Sequence, residues 1–167
     1  MPDTRQEYIE ATRRFFRLLE QRDMDGWVDM YADDAENHFP FNFSFGKPED
    51  VIGKEAIRQN WRDFPHWFES VSLPADAVFV DEAERTVVVL ADSHNVARMV
   101  PDNPWCSGGP LYENRFVFIL QFDEDGKVTD FYEYYNALVT GVSSGTIDVT
   151  FRDASAPRDE AGALKPA

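Results

Sequence analysis

Apolar positions near the start of the chain recur every three to four residues. Tyr8, Thr12, Phe15, Phe16 and Leu19 share one side, with Arg13, Arg14, Arg17, Glu20 and Gln21 between them. That spacing predicts an amphipathic helix over roughly 4–22. Asp23 can cap a second, short helix from Met24 to Tyr31, with Trp27, Met30 and Tyr31 on its apolar side. After Asp33-Asp34 the period changes to two. Residues 35–45 read as a strand pair broken at Pro40, in which Phe39, Phe41, Phe43 and Phe45 alternate to give one aromatic face. Gly46–Asp50 is a turn, and Lys54 to Asp63 a third helix carrying Ile57 and Trp61.

Val71 to Val80 and Arg85 to Val100 predict strands around the turn Asp81–Glu84, and Pro101–Pro110 reads as a Pro/Gly loop. The strongest local pattern comes next. Tyr112 to Phe122 and Val128 to Asn136 are rich in aromatic and β-branched residues, and Asp125-Gly126 between them is a hairpin signal. After Val142 the chain turns small and polar. Residues 143–167 therefore read as an extended or disordered tail behind a single domain of residues 1–142. Helices first and long strands afterwards predict an α+β domain, a curved antiparallel sheet wrapped around the N-terminal helices.

Composition narrows the function. A chain of 167 residues suits one domain with a proper core, and 14 Phe and 4 Trp point to a bulky core or an aromatic-lined cavity. No apolar run approaches a membrane span, and Met1-Pro-Asp-Thr-Arg lacks the basic-then-apolar order of a signal peptide, so a soluble cytoplasmic protein is expected. A net charge of −15 argues against nucleic acid and anionic membranes as partners, since both are held by basic patches. Cys106 is the single cysteine, which excludes an internal disulfide framework. The chain has no His-x-His or His-Glu-x-x-His motif. Asp123–Gly126 lacks calcium-loop spacing, and Gly108-Gly109 does not lie between a strand and a helix. Neither a metal nor a nucleotide cofactor is expected.

The candidate chemistry centres on Glu133, the one carboxylate among Phe131, Tyr132, Tyr134 and Tyr135. Period-two alternation puts Glu133 on the face of Phe131 and Tyr135, with Tyr132 and Tyr134 opposite. Buried there, its pKa would rise and suit it to proton transfer near neutrality. The alternative is a glutamate that faces solvent or pairs with Arg98 or Arg115 across the sheet. His94 lies where the strand Val87–Arg98 turns from apolar to polar, and is either a catalytic or ligand-contacting group or a surface histidine. His38, at the start of the aromatic strand, and His66, in Phe64-Pro-His-Trp67, are pocket candidates or exposed. Phe41, Asn60, Trp61, Trp67, Phe116, Phe131 and Tyr135 are candidate ligand contacts, and Trp105 is a candidate lid at the cavity mouth. Aromatics on both faces of the last strands also predict a symmetric homodimer, with Tyr132, Tyr134, Val117 and Ile119 contributing.

The order helix, Asp23-Met-Asp-Gly-Trp27, Met30-Tyr-Ala-Asp-Asp-Ala35 and then sheet resembles the nuclear-transport-factor-like (SnoaL-like) cone fold. Phe64-Pro-His-Trp67, Tyr112-Glu-Asn-Arg-Phe116 and Phe131-Tyr-Glu-Tyr-Tyr-Asn136 resemble the phenazine-biosynthesis PhzA/PhzB proteins most closely. The resemblance implies a cofactor-independent cyclase, dehydratase or isomerase acting on a small, largely apolar cyclic metabolite of secondary metabolism. In it Glu133 would be the strand acid/base and Tyr112 a pocket tyrosine. The chain departs from the pattern in two places. Ala56 and Asn60 stand near the positions of the PhzA/PhzB His and Ser. Phe39, Phe15 and Asn114 stand near those of the ketosteroid isomerase base, tyrosine and aspartate. A non-catalytic small-molecule carrier of the same fold is the alternative.

Overall fold

The computed structural model describes residues 4–147 other than 76 and 108. Helix α1 (Arg5–Gln21) starts at a reciprocal cap in which Thr4 Oγ1 accepts from the Glu7 N–H while the Glu7 carboxylate accepts from the Thr4 N–H. It buries Tyr8, Thr12, Phe15, Phe16 and Leu19, and it ends where Arg22 turns left-handed at φ 59°. Asp23 caps α2 (Met24–Val28) by accepting from the Gly26 N–H. This helix stops three residues short of the expected Tyr31. Tyr31 instead opens strand β1 (Tyr31–His38), because the Met30 carbonyl and Tyr31 pair with Val128. Sheet pairing outweighs local helix propensity at this point.

The main sheet adds β2 (Asp50–Ile52), β4 (Ala77–Asp81), β5 (Thr86–Asp92), β8 (Arg115–Phe122) and β9 (Val128–Tyr135), in the order β2-β1-β9-β8-β5-β4. The fold is α+β with a curved sheet, as expected, but β1 and β9 run parallel, so the sheet is mixed rather than wholly antiparallel. A second, three-stranded sheet joins β3 (Phe68–Ser70), β6 (Asn95–Ala97) and β7 (Leu111–Tyr112) in the order β3-β6-β7. Helices α3 (Lys54–Trp61), α4 (Phe64–Trp67) and α5 (Ala137–Ser143) complete the described chain.

Several sequence expectations are corrected. The phenylalanine alternation of residues 39–45 is not a strand: Asn42–Phe45 forms a 3-10 turn, Phe43 is 64% exposed and Phe39 is buried. Asn42 causes this, since its side chain donates to the Pro48 carbonyl while its own carbonyl accepts the Lys47 N–H, closing a compact loop. Residues 71–75 carry no regular structure, and the strand begins only at Ala77, beyond Pro74. The long strand expected over 85–100 splits at Ser93-His94, where the Ser93 N–H goes to Asn114 and the His94 N–H to Ser72 as the chain changes sheet. Helix α5 falls at the end of the domain, where no element was expected. Residues 148–167, the greater part of the expected tail, lie outside the described residues.

The two faces of the main sheet differ sharply. Val87, Val89, Ala91, Phe116, Phe118, Leu120 and Phe131 point inward and are buried. They meet the helices through close ring contacts, with centroids 4.8 Å apart for Phe16–Phe118 and 5.2 Å for Phe15–Phe131. Each such buried ring contributes roughly 1.5–3 kcal/mol by removal from water. On the outer face a cross-strand row runs His38, Tyr132, Ile119, Val88, Phe79, beside a second row of Tyr134, Val117 and Leu90. Among the described residues no helix is long and apolar enough to cross a membrane.

Candidate active site

The helices do not fill the cone. Between them and the inner face lies a cavity of about 260 Å³, whose floor is Phe131, Glu133 and Tyr135 of β9 with Phe116 and Phe118 of β8. These five residues come to one place by alternation and register: Glu133 pairs across the sheet with Phe118, and Tyr135 with Phe116. Trp61, Phe64, Trp67 and Phe68 form one wall, since α4 is a single turn that points Phe64 and Trp67 inward. Asn42, Lys47, Pro48, Asn60 and Trp105 reach the cavity from α3 and the loops.

Among the described residues Glu133 carries the only carboxyl group lining this space. Protein atoms enclose it, and its partial exposure is to the cavity it lines. No hydrogen bond or ion pair reaches its carboxylate among the described residues. Burial alone pushes its pKa up from the usual 4.5 to about 8. At neutral pH the group is thus mostly the neutral acid, with a minor ionised fraction, and both forms can exchange a proton with a bound molecule. The same burial, reinforced by the nearby Glu133 charge, raises the Tyr135 hydroxyl pKa. That hydroxyl donates to Asn42 Oδ1 at 2.7 Å and ties the mouth loop to β9.

A second polar group is built around Asn114. Its Oδ1 accepts from two backbone N–H groups, Arg115 at 2.8 Å and Asn136 at 3.0 Å, which fixes its amide as a donor on the other side. Asn114 Nδ2 then donates toward the Tyr112 hydroxyl at 3.2 Å and Thr140 Oγ1 at 3.0 Å, and those two oxygens are 3.0 Å apart. One of the two hydroxyls donates to the other, so a single hydroxyl hydrogen remains for a further acceptor. Both Tyr112 and Thr140 line the cavity, so that donor is available to a ligand oxygen. The Tyr112 phenol is pushed up to about 12, by burial first, so it stays protonated. Asn95 is similar on a smaller scale: its Oδ1 takes the Ser72 N–H at 3.0 Å, which turns Nδ2 the other way.

Of the residues singled out from sequence, Glu133, Tyr112, Asn60, Trp61, Trp67, Trp105, Phe116, Phe131 and Tyr135 all line the one cavity. Four others do not. His94 stands on the crossover between the sheets, 63% exposed at its side chain and 3.1 Å from Glu113 Oε1, and it lines a separate surface pocket rather than the Glu133 cavity. His66 is left outside by the turn of α4 that buries its neighbours, and it faces Asp102 at 3.6 Å. His38 takes the outward register position of β1. Its ring stacks on Tyr132 at 4.2 Å, with Nδ1 2.7 Å from Asp50. Phe41 packs at the rim against Tyr134 and Tyr135. Asn42, Lys47, Asn95 and Thr140 were not anticipated. They sit in loops, in a strand of three residues or in the unanticipated α5, where no periodic pattern marks them. The described residues contain no group of three His, Cys, Asp or Glu side chains placed to hold a metal ion.

Comparison with known proteins agrees with this fold. The uncharacterised protein YesE of Bacillus subtilis (strain 168) is 24% identical over 138 residues, covering 81% of this chain and 86% of its own. The crystal structure of the BvnE pinacolase from Penicillium brevicompactum superposes with a TM-score of 0.68 at 20% identity, over 83% of this chain and 89% of that one. A phenazine biosynthesis-related protein from Pseudomonas aeruginosa does so with a TM-score of 0.66 at 17% identity, over 94% of each chain. At these identities the two structures establish the fold alone. The model of the SnoaL-like domain matches residues 12–131, most of the described chain, and with the cone-shaped sheet and its enclosed cavity this makes the protein a member of the SnoaL-like family.

Proposed function

We propose that the protein is a cofactor-independent acid/base enzyme, a cyclase, dehydratase or isomerase, acting on a small, largely apolar cyclic metabolite of secondary metabolism. The observation that carries this reading is Glu133: a lone, unpaired carboxyl on the floor of an aromatic cavity, with its pKa raised to about 8. As the neutral acid, Glu133 protonates a carbonyl or departing hydroxyl oxygen of the ligand. As the resulting carboxylate, it removes a proton from a neighbouring carbon, which regenerates the acid and moves a double bond or expels water. Tyr112, held by Asn114 and Thr140, supplies a hydrogen bond to developing negative charge on a ligand oxygen. The aromatic walls exclude water and bind the ring. A positioned acid/base group is worth about 10²–10⁴ in rate. A pinacolase and a phenazine biosynthesis-related protein share this fold, so the fold accommodates chemistry of this kind, and neither specifies the substrate.

One observation favours a second reading as a carrier. Ala56 and Asn60 replace the histidine and serine that the PhzA/PhzB resemblance places on the third helix. Native mass spectrometry of protein purified from its own host separates the two. An enzyme converts the copurifying molecule, and Glu133→Gln stops the conversion; a carrier releases it unchanged in both forms. We also propose a homodimer through the outer sheet face, where Phe79, Leu90 and Val117 are exposed in one apolar patch.

A further inference from the structure

Among the described residues the cavity lining contains one acidic and one basic residue, Glu133 and Lys47. Six lysines and arginines have carboxylate partners within 4.0 Å; Lys47, like Arg14, Arg98 and several others, is in none of the ion pairs among the described residues, but it alone of the basic residues lines the cavity. Its ammonium lies over the ring of Trp105 instead, 5.7 Å from the centroid. Lys47 and Trp105 come from opposite loops and meet at the cavity.

The backbone that carries Lys47 is held in place. Its N–H donates to the Asn42 carbonyl at 3.1 Å, the Asn42 side chain bonds Pro48 at 2.8 Å, and Tyr135 of β9 bonds Asn42 at 2.7 Å. The backbone of Lys47 is thereby tethered to the strand that bears Glu133. No hydrogen bond or ion pair among the described residues joins its ammonium to Glu133. Burial favours the neutral acid at Glu133, which leaves the Lys47 ammonium without a carboxylate partner in the cavity.

We infer that the ligand is a planar cyclic molecule bearing an anionic oxygen, a carboxylate or an enolate, which Lys47 receives at the cavity mouth while the apolar ring lies against Trp105 and the aromatic walls toward Glu133. This rests on the reading of the cavity as the ligand site and adds the substrate's charge and orientation. A cation with an aromatic platform is a fitting receptor for such a group: the ammonium pairs with the oxygen and the indole stacks on the ring.

The test uses two pairs of probes sized for two fused rings, titrated calorimetrically at pH 7. The carboxylate pair is 2-naphthoate and neutral 2-naphthamide. The enolate pair is 2-hydroxy-1,4-naphthoquinone, ionised at this pH, and its neutral methyl ether. In at least one pair the anion is expected to bind the native protein about tenfold or more tightly, the strength of one charge-assisted hydrogen bond. Lys47→Met, which keeps the length of the stem, should erase that preference, and Lys47→Arg should retain it. The pair that shows the loss identifies the anion class. Equal affinities within both pairs, or a preference that survives Lys47→Met, would overturn the inference. Glu133→Gln should keep the preference while losing turnover, so failure of the acid/base reading and failure of this one give different results.

Discussion

Replacing Glu133 by glutamine keeps the shape of the side chain and removes its ability to ionise, and the consequence for stability depends on pH with a definite sign. In the unfolded chain the carboxyl ionises at about 4.5, and in the folded protein at about 8, because burial disfavours the charge. Below the lower value both states hold the proton and the group is neutral with respect to folding. Between the two values only the unfolded state releases its proton, so native stability falls by about 1.4 kcal/mol per pH unit. Above the upper value both states are ionised and the loss is complete, at about 5 kcal/mol. The glutamine variant has no such term. It should match the native protein at pH 4, exceed it by about 3 kcal/mol at pH 7, and exceed it most at pH 9. For a domain of this size, 3 kcal/mol corresponds to roughly 6–12 °C in Tm. Urea denaturation of both proteins across the range measures this, since every other titrating group cancels in the difference. High salt should leave it unchanged, because desolvation rather than an ion pair is the cause. A difference that is flat with pH, or a variant less stable at pH 8, would refute the reasoning and return Glu133 to the role of a paired structural residue.

Three further outcomes follow from the same geometry. Tyr112→Phe should lower turnover by on the order of tenfold or more while costing only about 1 kcal/mol of stability, because Asn114 keeps Thr140 and the Asn136 carbonyl as acceptors; steady-state kinetics beside thermal melts will show the split. His94→Ala should leave kcat and KM within about twofold of native, since its side chain is exposed and pairs only with Glu113. Ile119→Glu places a charge in the middle of the outer apolar row and should convert the proposed dimer to monomer in sedimentation without changing the cavity.

What the sequence made legible was local. The periodic apolar face of α1, and the Asp125-Gly126 turn of the last hairpin, are signals spelled out within a few residues. There Asp123 Oδ1 accepts from the N–H groups of Asp125 and Lys127, and Gly126 takes φ 77°. Alternation also put Glu133, Phe131 and Tyr135 on a common face, and all three line the cavity. Nonlocal effects were hidden. The parallel pairing of β1 with β9 joins segments some ninety residues apart and ends α2 early. Helix α5 reads Ala-Leu-Val-Thr-Gly-Val-Ser, whose β-branched residues and glycine have poor helix propensity. It forms because Asn136 caps it and Thr140 bonds into the Asn114 cluster. His94 misled for a related reason: a polar break in an apolar strand marks either a site or a crossover, and Ser93-His94 is the crossover.

The central claim is that Glu133 exchanges its proton near neutrality inside the cavity. The most direct measurement is a carbon-13 NMR titration of the glutamate side-chain carboxyls, with the Glu133 resonance assigned by its loss in Glu133→Gln. The account predicts a Glu133 resonance that titrates near pH 8, well above the usual 4.5. A Glu133 resonance that titrates at the ordinary value would contradict it.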